Sequence, residues 1–502
     1  MALTKAHNRM ISGSATQVAD YGAIGDGVVD DTSAMQAAVD AANTKGGDRV
    51  EFGAGTYRID GTVDFQGTGD VKVNLGGAEL QLYDAVSVFD YGWGVTALGT
   101  QAADVQFEGG RLTAKTANTT VFRIQNAYAP IFRDINLKLD EAGQTGFYVR
   151  GNPAPYIGPY YGVMDNIRIF GNGSPGDGQY GMRFLGADPS FGGSDGVNRW
   201  CFSNIRHIAA VDYGIDIVNM HGDVWSNVNL EACYTTGVRF NERTPDYTGS
   251  VTTAGSTQVI TDSAYTNIGS GHVIMTSGPN SGLSAPVLIS ATGSITLAQA
   301  FPNLFTLGDT YNYYLSKARN VRMENVTLET AGNAVDFSAG ASGNRVEFAF
   351  ITIDPASTYF TRDVEDISNT IARRYDVFEF EGTVPSGGGA VWLSPIHVAS
   401  NRGGAVLPEN GFIDAIYCTS STRGVGGAGT ITVVPYSAGI TLGSDMTITL
   451  TSDNPSFGGR VRKSLTAAQF TRRQQSIKVL ATGDAALATN EDIRVQVYVG
   501  YL

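Results

Sequence analysis

Five segments of the chain repeat one pattern. Each has a polar residue, an apolar one, any residue and usually another apolar one, then a variable gap, then Gly (once Ala), apolar, any, apolar. They are DINL…GFYV from Asp134, NIRI…GMRF from Asn166, NIRHI…GIDI from Asn204, NVNL…GVRF from Asn227, and NVTL…AVDF from Asn325. The two tightest copies, at Asn204 and Asn227, start 23 residues apart, and both place Gly ten residues after the Asn, at Gly214 and Gly237. A period of that length marks a solenoid, in which each repeat is one coil and only stacking buries its apolar face. Alternating residues then point inward and outward, and Asn at a constant corner can hydrogen-bond down the stack. Looser copies precede these (VKVNLGG, DVQFEGGRLTA, VFRI), and VEFAFITID reads as a last one, so the coils run from about residue 50 to 358.

Breaks in the repeat read as insertions, which a solenoid tolerates because loops leave one face of successive coils. GNPAPYIGPYYG (151–162) and GADPSFGGSDGVNRW (186–200) are two of them. The largest, about 241–318, is a run of short strands and hairpin turns, expected to form a small β domain. Residues 359–375 read as a linker. The alternating segments VFEFEGTV, FIDAIYCTS, TITVVPY, MTITLTS, QSIKVLA and IRVQVYVGYL place a β-sandwich over 376–502. The 63 glycines and a charged fraction of 16% among 502 residues suit many short strands joined by turns.

Net charge is −14, which argues against nucleic acid and anionic membrane as partners. Local Arg residues still allow an acidic polysaccharide. No stretch reaches 18 apolar residues, so no membrane insertion is expected. Cys201, Cys233 and Cys418 make neither a disulfide framework nor a CxxC. The start has no apolar segment of signal-peptide length, so a standard secretion signal is not expected.

Residues 20–32 read DYGAIGDGVVDDT. A phosphate loop needs GxxxxGK before Ser or Thr, or GxGxxG between a strand and a helix, and GAIGDG meets neither. A calcium loop needs alternating oxygen ligands and a distal Glu, which Asp26, Asp30 and Asp31 do not supply. A short helix fits. Asp31 or Thr32 can cap its first turn, Met35, Ala38, Val39 and Ala42 form one apolar stripe, and Gly46 and Gly47 end it. VEFGAGTYRI then reads as strand, glycine turn, strand. The stripe must cover something apolar, and the open end of a stacked-strand core would serve.

The run DYGAIGDGVVDDTSAMQAAVDAA…GG…VEFGAGTYRI resembles the start of pectate-lyase-like right-handed parallel β-helices, in the form common in bacteriophage tailspikes. The preceding LTKAHNRMISGSATQVADYGA is similar to the lead-in of such spikes. The resemblance implies an all-β chain: a short docking segment over 1–19, then a right-handed parallel β-helix over 20–358 with an N-terminal capping helix. It also implies a C-terminal part that clamps three chains into a homotrimer, which would cover open coil ends.

Chemistry is sought on the coil surface, where equivalent residues stack. Aligning the coils at Asn227 and Asn325 puts Glu231 and Glu329 at one position. The insert between them is a detour, so these carboxylates lie one coil apart, roughly 5 Å by strand spacing. Glycosidases use such a pair, one as acid and one as base or nucleophile. A second row, after the Gly, reads Tyr148, Arg183, Asp216, Arg239 and Asp336, an alternation that suits an ion-pair ladder. Asp216, with Asp212 on the same coil, is the second choice of catalytic carboxylates. Tyr156, Tyr160, Tyr161, Phe191, Trp200 and Trp225 are candidate sugar platforms, although Trp200 and Trp225 fall near strand positions that suit the core. Arg183, Arg206, Arg239 and Arg168 could serve an acidic sugar, or the uronate of a lyase. The five histidines lie far apart in sequence, which speaks against a histidine metal site, and no metal or cofactor is expected. No GxSxG appears in a strand–turn–helix context, so a serine esterase has no support.

The resemblance then implies a phage tailspike depolymerase in the virion tail, assembled in the host cytoplasm and docked to the tail or an adaptor protein through its N-terminus. It would bind a bacterial capsule or O-antigen and hydrolyse it as an endo-glycosidase. A polysaccharide lyase on the same scaffold and a non-catalytic, glycan-binding receptor spike are the alternatives.

Overall fold

The computed structural model describes residues 15–67, 69–84, 86–92, 102–151, 159–185, 197–240, 245–269, 271–281, 284–298, 300–301, 303–315, 318–330, 332–337, 344–353, 360–362, 374–387 and 389–395. Beyond these it describes 405–406, 411–420, 430–437, 440–441, 448–451, 460–461, 470–471, 476–483 and 491–501. Residues 1–14 of the lead-in, 363–373 of the linker, Tyr156 and Phe191 lie outside them. By contact the chain divides into two units, Met1–Asn241 with Lys317–Asp336 and Ala341–Ser357, and Glu242–Ser316 with Phe337–Gly340 and Thr358–Leu502. Among the described residues no helix is long and apolar enough to cross a membrane.

The first unit is a right-handed parallel β-helix. One long sheet runs through Lys72–Leu82, Gln106–Ala114, Ile131–Arg133, Val163–Phe170, Cys201–Ala209, Val224–Glu231, Arg322–Thr330 and Arg345–Ile353. A second runs through Ser87–Tyr91, Thr120–Ile124, Thr145–Arg150, Tyr180–Leu185, Tyr213–Ile217, Thr236–Phe240 and Asn333–Phe337. Val224–Glu231 pairs with Arg322–Thr330 without a slip, so the chain resumes its register after the insert. Apolar files fill the interior. Phe89, Phe122 and Phe147 stack at 5.2 and 4.7 Å, and Phe202 lies on Trp225 at 3.5 Å.

Three columns explain the repeated letters. Asp134, Asn166, Asn204, Asn227 and Asn325 all hold φ between 51° and 57°, the left-handed region that Asn and Asp tolerate best. The last three form a ladder: Asn227 Nδ2 donates to Asn204 Oδ1 at 3.1 Å, and Asn325 Nδ2 to Asn227 Oδ1 at 2.7 Å, while Asn204 Nδ2 donates to Asp165 Oδ1 at 2.9 Å. A second left-handed column, two residues ahead of the long sheet's register, holds Asp70, Asp104, Ala129, Tyr161, Arg199, Gly222 and Asn320, with φ between 50° and 69°. The left-handed conformation disfavours a residue with a Cβ by roughly 1–2 kcal/mol. The third column is the repeated Gly. A Cβ on Gly181 would lie 2.7 Å from the Gly214 carbonyl oxygen, and one on Gly214 would lie 2.6 Å from that of Gly237. Glycine is there because the next coil's backbone occupies the space.

The opening aspartates tie the cap together. The helix Thr32–Thr44 buries Ala34, Met35, Ala38, Val39 and Ala42, the expected stripe. Asp31 stands at its N-cap, but its side chain does not bond to the first turn. Its carboxylate accepts from the amides of Ile24 and Gly25, at 2.7 and 3.2 Å, because that loop turns its N–H groups inward. Asp30 Oδ1 instead accepts from Thr32 N at 2.9 Å, and the Thr32 hydroxyl accepts from the amides of Asp60 and Gly61.

The inserted residues form an antiparallel sheet, from Tyr247–Ser250 to Thr310–Leu315, around a core of Tyr265, Phe301, Tyr311 and Tyr313. Buried Asp262 accepts from the hydroxyls of Tyr247 and Tyr311, at 3.0 and 2.8 Å. The C-terminal strands form two antiparallel sheets, one through Arg374–Val384, Glu491–Tyr501 and Gly411–Ser420, the other through Gly389–Trp392, Ser476–Gly483 and Thr430–Ser437.

One buried acid has an instructive counterpart. Asp223 and Asn344 each immediately precede the same register position of the long sheet. Asn344 bridges its neighbour coil, accepting from Val321 N at 3.1 Å and donating to Ala318 O at 2.9 Å. Asp223 Oδ1 accepts from Trp200 N, while buried Oδ2 has no partner. Burial pushes the carboxyl up to about 8, although the amides of Trp200 and His221 pull it down.

Two outcomes follow. The folded pKa of Asp223 is raised from 3.8 to about 8, so its contribution to stability is greatest in acid, falls as pH rises between those two values and is level above them, with a slope of up to about 1.4 kcal/mol per pH unit. Asp223→Asn keeps the acceptor and adds the donor, so it should flatten melting temperature against pH across that window. Gly214→Ala should destabilise the first unit by about 1–3 kcal/mol, the range for overpacking, read as a lowered melting temperature.

Candidate functional site

The glutamates come from the repeat itself. In Val224–Glu231 and Arg322–Thr330, Val228, Leu230, Val326 and Leu328 point inward, which leaves Glu231 and Glu329 facing solvent. The register sets Glu231 directly opposite Glu329. Going up the stack, the same outward row continues through Ala209 and Phe170. Like charges facing each other across neighbouring strands oppose folding, so the pair is not there for stability.

A bulge completes the site. Between Ile205 and Ile208 the strand Cys201–Ala209 carries one residue more than its partner, so Arg206 and His207 stand against Asn229 alone. The bulge turns His207 toward the glutamates, with Nε2 3.3 Å from Glu231 Oε2. The exposed Phe170 ring flanks the imidazole, with centroids 4.9 Å apart. Arg168 is the register partner of His207 on the preceding coil and is also exposed. Four side chains of three chemistries therefore surround one patch: two carboxylates, an imidazole and an aromatic ring, with a guanidinium beside them. His207 was not among the sequence candidates. The signal was present, since NIRHI is one residue longer than NVNL before its last apolar residue.

The second-choice carboxylates are elsewhere and fully engaged. Asp216 is completely buried. It accepts from Arg183 Nε at 3.0 Å and from Arg239 Nε and Nη2, each at 2.8 Å. Burial alone would lower the Arg239 pKa, but the bidentate Asp216 more than offsets this and raises it. Each guanidinium also lies over a tyrosine, Arg183 over Tyr180 and Arg239 over Tyr213, and the two rings stack at 4.7 Å. The alternating row is thus an ion-pair ladder that is sunk beneath the surface at Asp216. Asp212 is buried and its carboxylate accepts from the amides of Gly176, Gly178 and Gln179, holding a loop closed.

The aromatic candidates divide. Trp200 is 2% exposed; its indole nitrogen donates to Pro159 O at 2.6 Å, and its ring lies against Gly162. It is a core residue, as is Trp225. Tyr160 and Tyr161 precede the strand Val163–Phe170, at the opposite end from Phe170, with the Asn166 corner between. They do not join the glutamate patch. Arg206 is exposed on the bulge. Among the described residues no group of three His, Cys, Asp or Glu is placed to hold a metal ion.

Residues 15–239 match the family model described as Rhamnogalacturonase A/epimerase, pectate lyase-like. Mannuronan C5-epimerase AlgE1 of Azotobacter vinelandii is 59% identical over 44 residues, which are 9% of this chain and 3% of the relative's own length. Among solved structures, the tailspike protein of Acinetobacter baumannii phage AM24 is similar over 97% of this chain and 83% of its own, at 10% identity and a TM-score of 0.34. A tailspike protein of E. coli bacteriophage HK620, determined in complex with pentasaccharide, is similar over 98% of this chain and 96% of its own, at 10% identity and a TM-score of 0.28.

Removing one partner of a buried ion pair leaves uncompensated charge and destabilises by about 3–5 kcal/mol. Asp216→Ala strands two guanidinium groups and should lower the melting temperature accordingly. A catalytic Asp216 would instead lose activity with folding intact, so circular dichroism melting separates the two.

Proposed function

We propose that this pectate-lyase-like β-helix binds a polysaccharide across the outward face of its long sheet and hydrolyses it as an endo-glycosidase. The observation that carries the reading is the in-register pair Glu231 and Glu329, kept against mutual repulsion, with His207 at 3.3 Å from Glu231. The pair supplies the two carboxyls that glycoside hydrolysis needs. In this reading protonated Glu329 donates its proton to the glycosidic oxygen as the anomeric C–O bond breaks. Glu231 acts on the anomeric carbon as the base that deprotonates the attacking water, or, as the one-coil spacing favours, as the nucleophile whose glycosyl ester water then cleaves with Glu329 as base. His207 and Phe170 position Glu231 and the sugar. One water is consumed per cut. Asp212, Asp216, Arg183 and Arg239 serve as framework, and Arg206 and Arg168 face the polymer from the rim.

The biological setting follows the same line. The chain is read as a phage tailspike depolymerase in the virion tail, a homotrimer joined to the tail or an adaptor by its N-terminal segment, with a bacterial capsule or O-antigen as substrate. A lyase is the second reading, and one observation favours it: Arg168 stands beside His207 in register. A cation to neutralise a uronate and a base to take the neighbouring proton are what β-elimination requires.

Mass spectrometry of products from a panel of bacterial capsular and O-antigen polysaccharides tests the reading. Hydrolysis adds one water to each new chain end, whereas a lyase leaves an unsaturated uronate and adds none. Glu231→Gln and Glu329→Gln should each lower turnover by about 10²–10⁴-fold, the range for lost general acid–base catalysis, with glycan binding retained. Full activity in both variants refutes the site, and binding with no cleavage of any glycan leaves the chain as an adhesion-only spike.

A further inference from the structure

We propose that Tyr128, Tyr161 and Arg199 form a second glycan-binding subsite, selective for an acidic sugar residue and separate from the glutamate patch. It shares with the reading above only a polysaccharide ligand.

The starting observation is a broken local rule. Seven stacked positions of the corner ahead of the long sheet adopt left-handed φ, and five carry Asp, Asn, Gly or Ala. The other two are Tyr161 and Arg199, each at φ 60° and on adjacent coils. Bulky side chains are poorly suited to that conformation, and nothing in the coil geometry asks for them, since smaller residues make the same turn above and below. Strain of this kind, retained by the surrounding structure, collects where side chains have a task.

The two side chains also meet. Arg199 Nη1 donates to the Tyr161 hydroxyl at 2.8 Å, and its guanidinium carbon lies 5.6 Å from the ring centroid. Tyr128, one coil earlier, sets its ring 5.4 Å from that of Tyr161 at 63°. Tyr128 and Tyr161 are 40% and 41% exposed, and Arg199 is exposed as well. Behind them the corner is pinned. Trp200, the residue after Arg199, packs onto Gly162, the residue after Tyr161, where an added Cβ would lie 2.4 Å from the indole. The strip is therefore outward and backed by packed residues.

Its chemistry selects the ligand class. Angled tyrosine rings offer faces for the apolar C–H surface of a pyranose and hydroxyls for its polar rim. Among the described residues no carboxylate pairs with Arg199. Its remaining N–H edge is open to a planar anion, which guanidinium groups bind in bidentate fashion. In a chain of net charge −14 such a cation favours a uronate over a neutral hexose. The subsite would hold a long polymer at a second point and raise its effective concentration at the first.

The test uses the full chain with Glu231→Gln, so that binding is read without cleavage and is independent of the proposed hydrolysis. Affinity gel electrophoresis is run with polygalacturonate, alginate and neutral dextran as probes. The expected result is retardation by at least one acidic polymer and none by dextran. Tyr161→Gly with Arg199→Gly should weaken that affinity at least tenfold. Melting temperature should hold or rise, because glycine relieves the left-handed corner. Three results would overturn the proposal: a parent unretarded by both acidic polymers, a double variant retarded like its parent, or a double variant that melts several degrees lower.

Discussion

The left-handed asparagine corner is the constraint on which the coils depend. Each coil must bend at the same register or its neighbours cannot stack. A residue with a Cβ resists the conformation that makes the bend, and Asn resists least. The exposed amides then bond from Asn204 through Asn227 to Asn325, so the penalty at each bend is offset by a hydrogen bond to the next. A net gain of about 0.5–1.5 kcal/mol per bond is of the same size as the penalty. The ladder thus serves register more than stability. That is why Asn227 meets Asn325 across an inserted sheet of its own, and why Glu231 meets Glu329.

Chemical potential gathers where this regularity is broken. The strand through Asn204 carries one residue too many, and the surplus turns His207 onto Glu231. Bulges of this kind re-aim side chains in many sheets. Another irregularity is at the opposite corner, where Tyr161 and Arg199 replace the small turn residues of the other coils. Both departures leave side chains exposed, and both sit on coils whose cores are otherwise regular.

Burial separates acids that look alike along the chain. Asp216 and Glu231 stand one coil apart in their repeats, yet the first is completely enclosed by two arginines and the second faces water. An enclosed carboxylate with both oxygens engaged is framework, and its partners cannot leave it without stranding charge. An exposed one opposite another carboxylate is available for reaction. Asp212 belongs with Asp216, because three backbone amides occupy it.

What the sequence determined by itself was everything that follows from period. The alternation of apolar residues set the inward and outward faces. The Asn-to-Gly spacing set the coils, and alignment at Asn227 and Asn325 placed the two glutamates opposite each other. The stripe from Met35 to Ala42 announced the capping helix. Tertiary structure decided whatever depends on neighbouring coils. It turned Asp31 from the helix to a loop, sank Asp216 and Asp212, buried Trp200 against Gly162, and carried His207 to Glu231. A repeat specifies which way a side chain points, but its environment is built by the coils above and below. Those coils differ by insertions and bulges whose effects appear only once the chain is stacked.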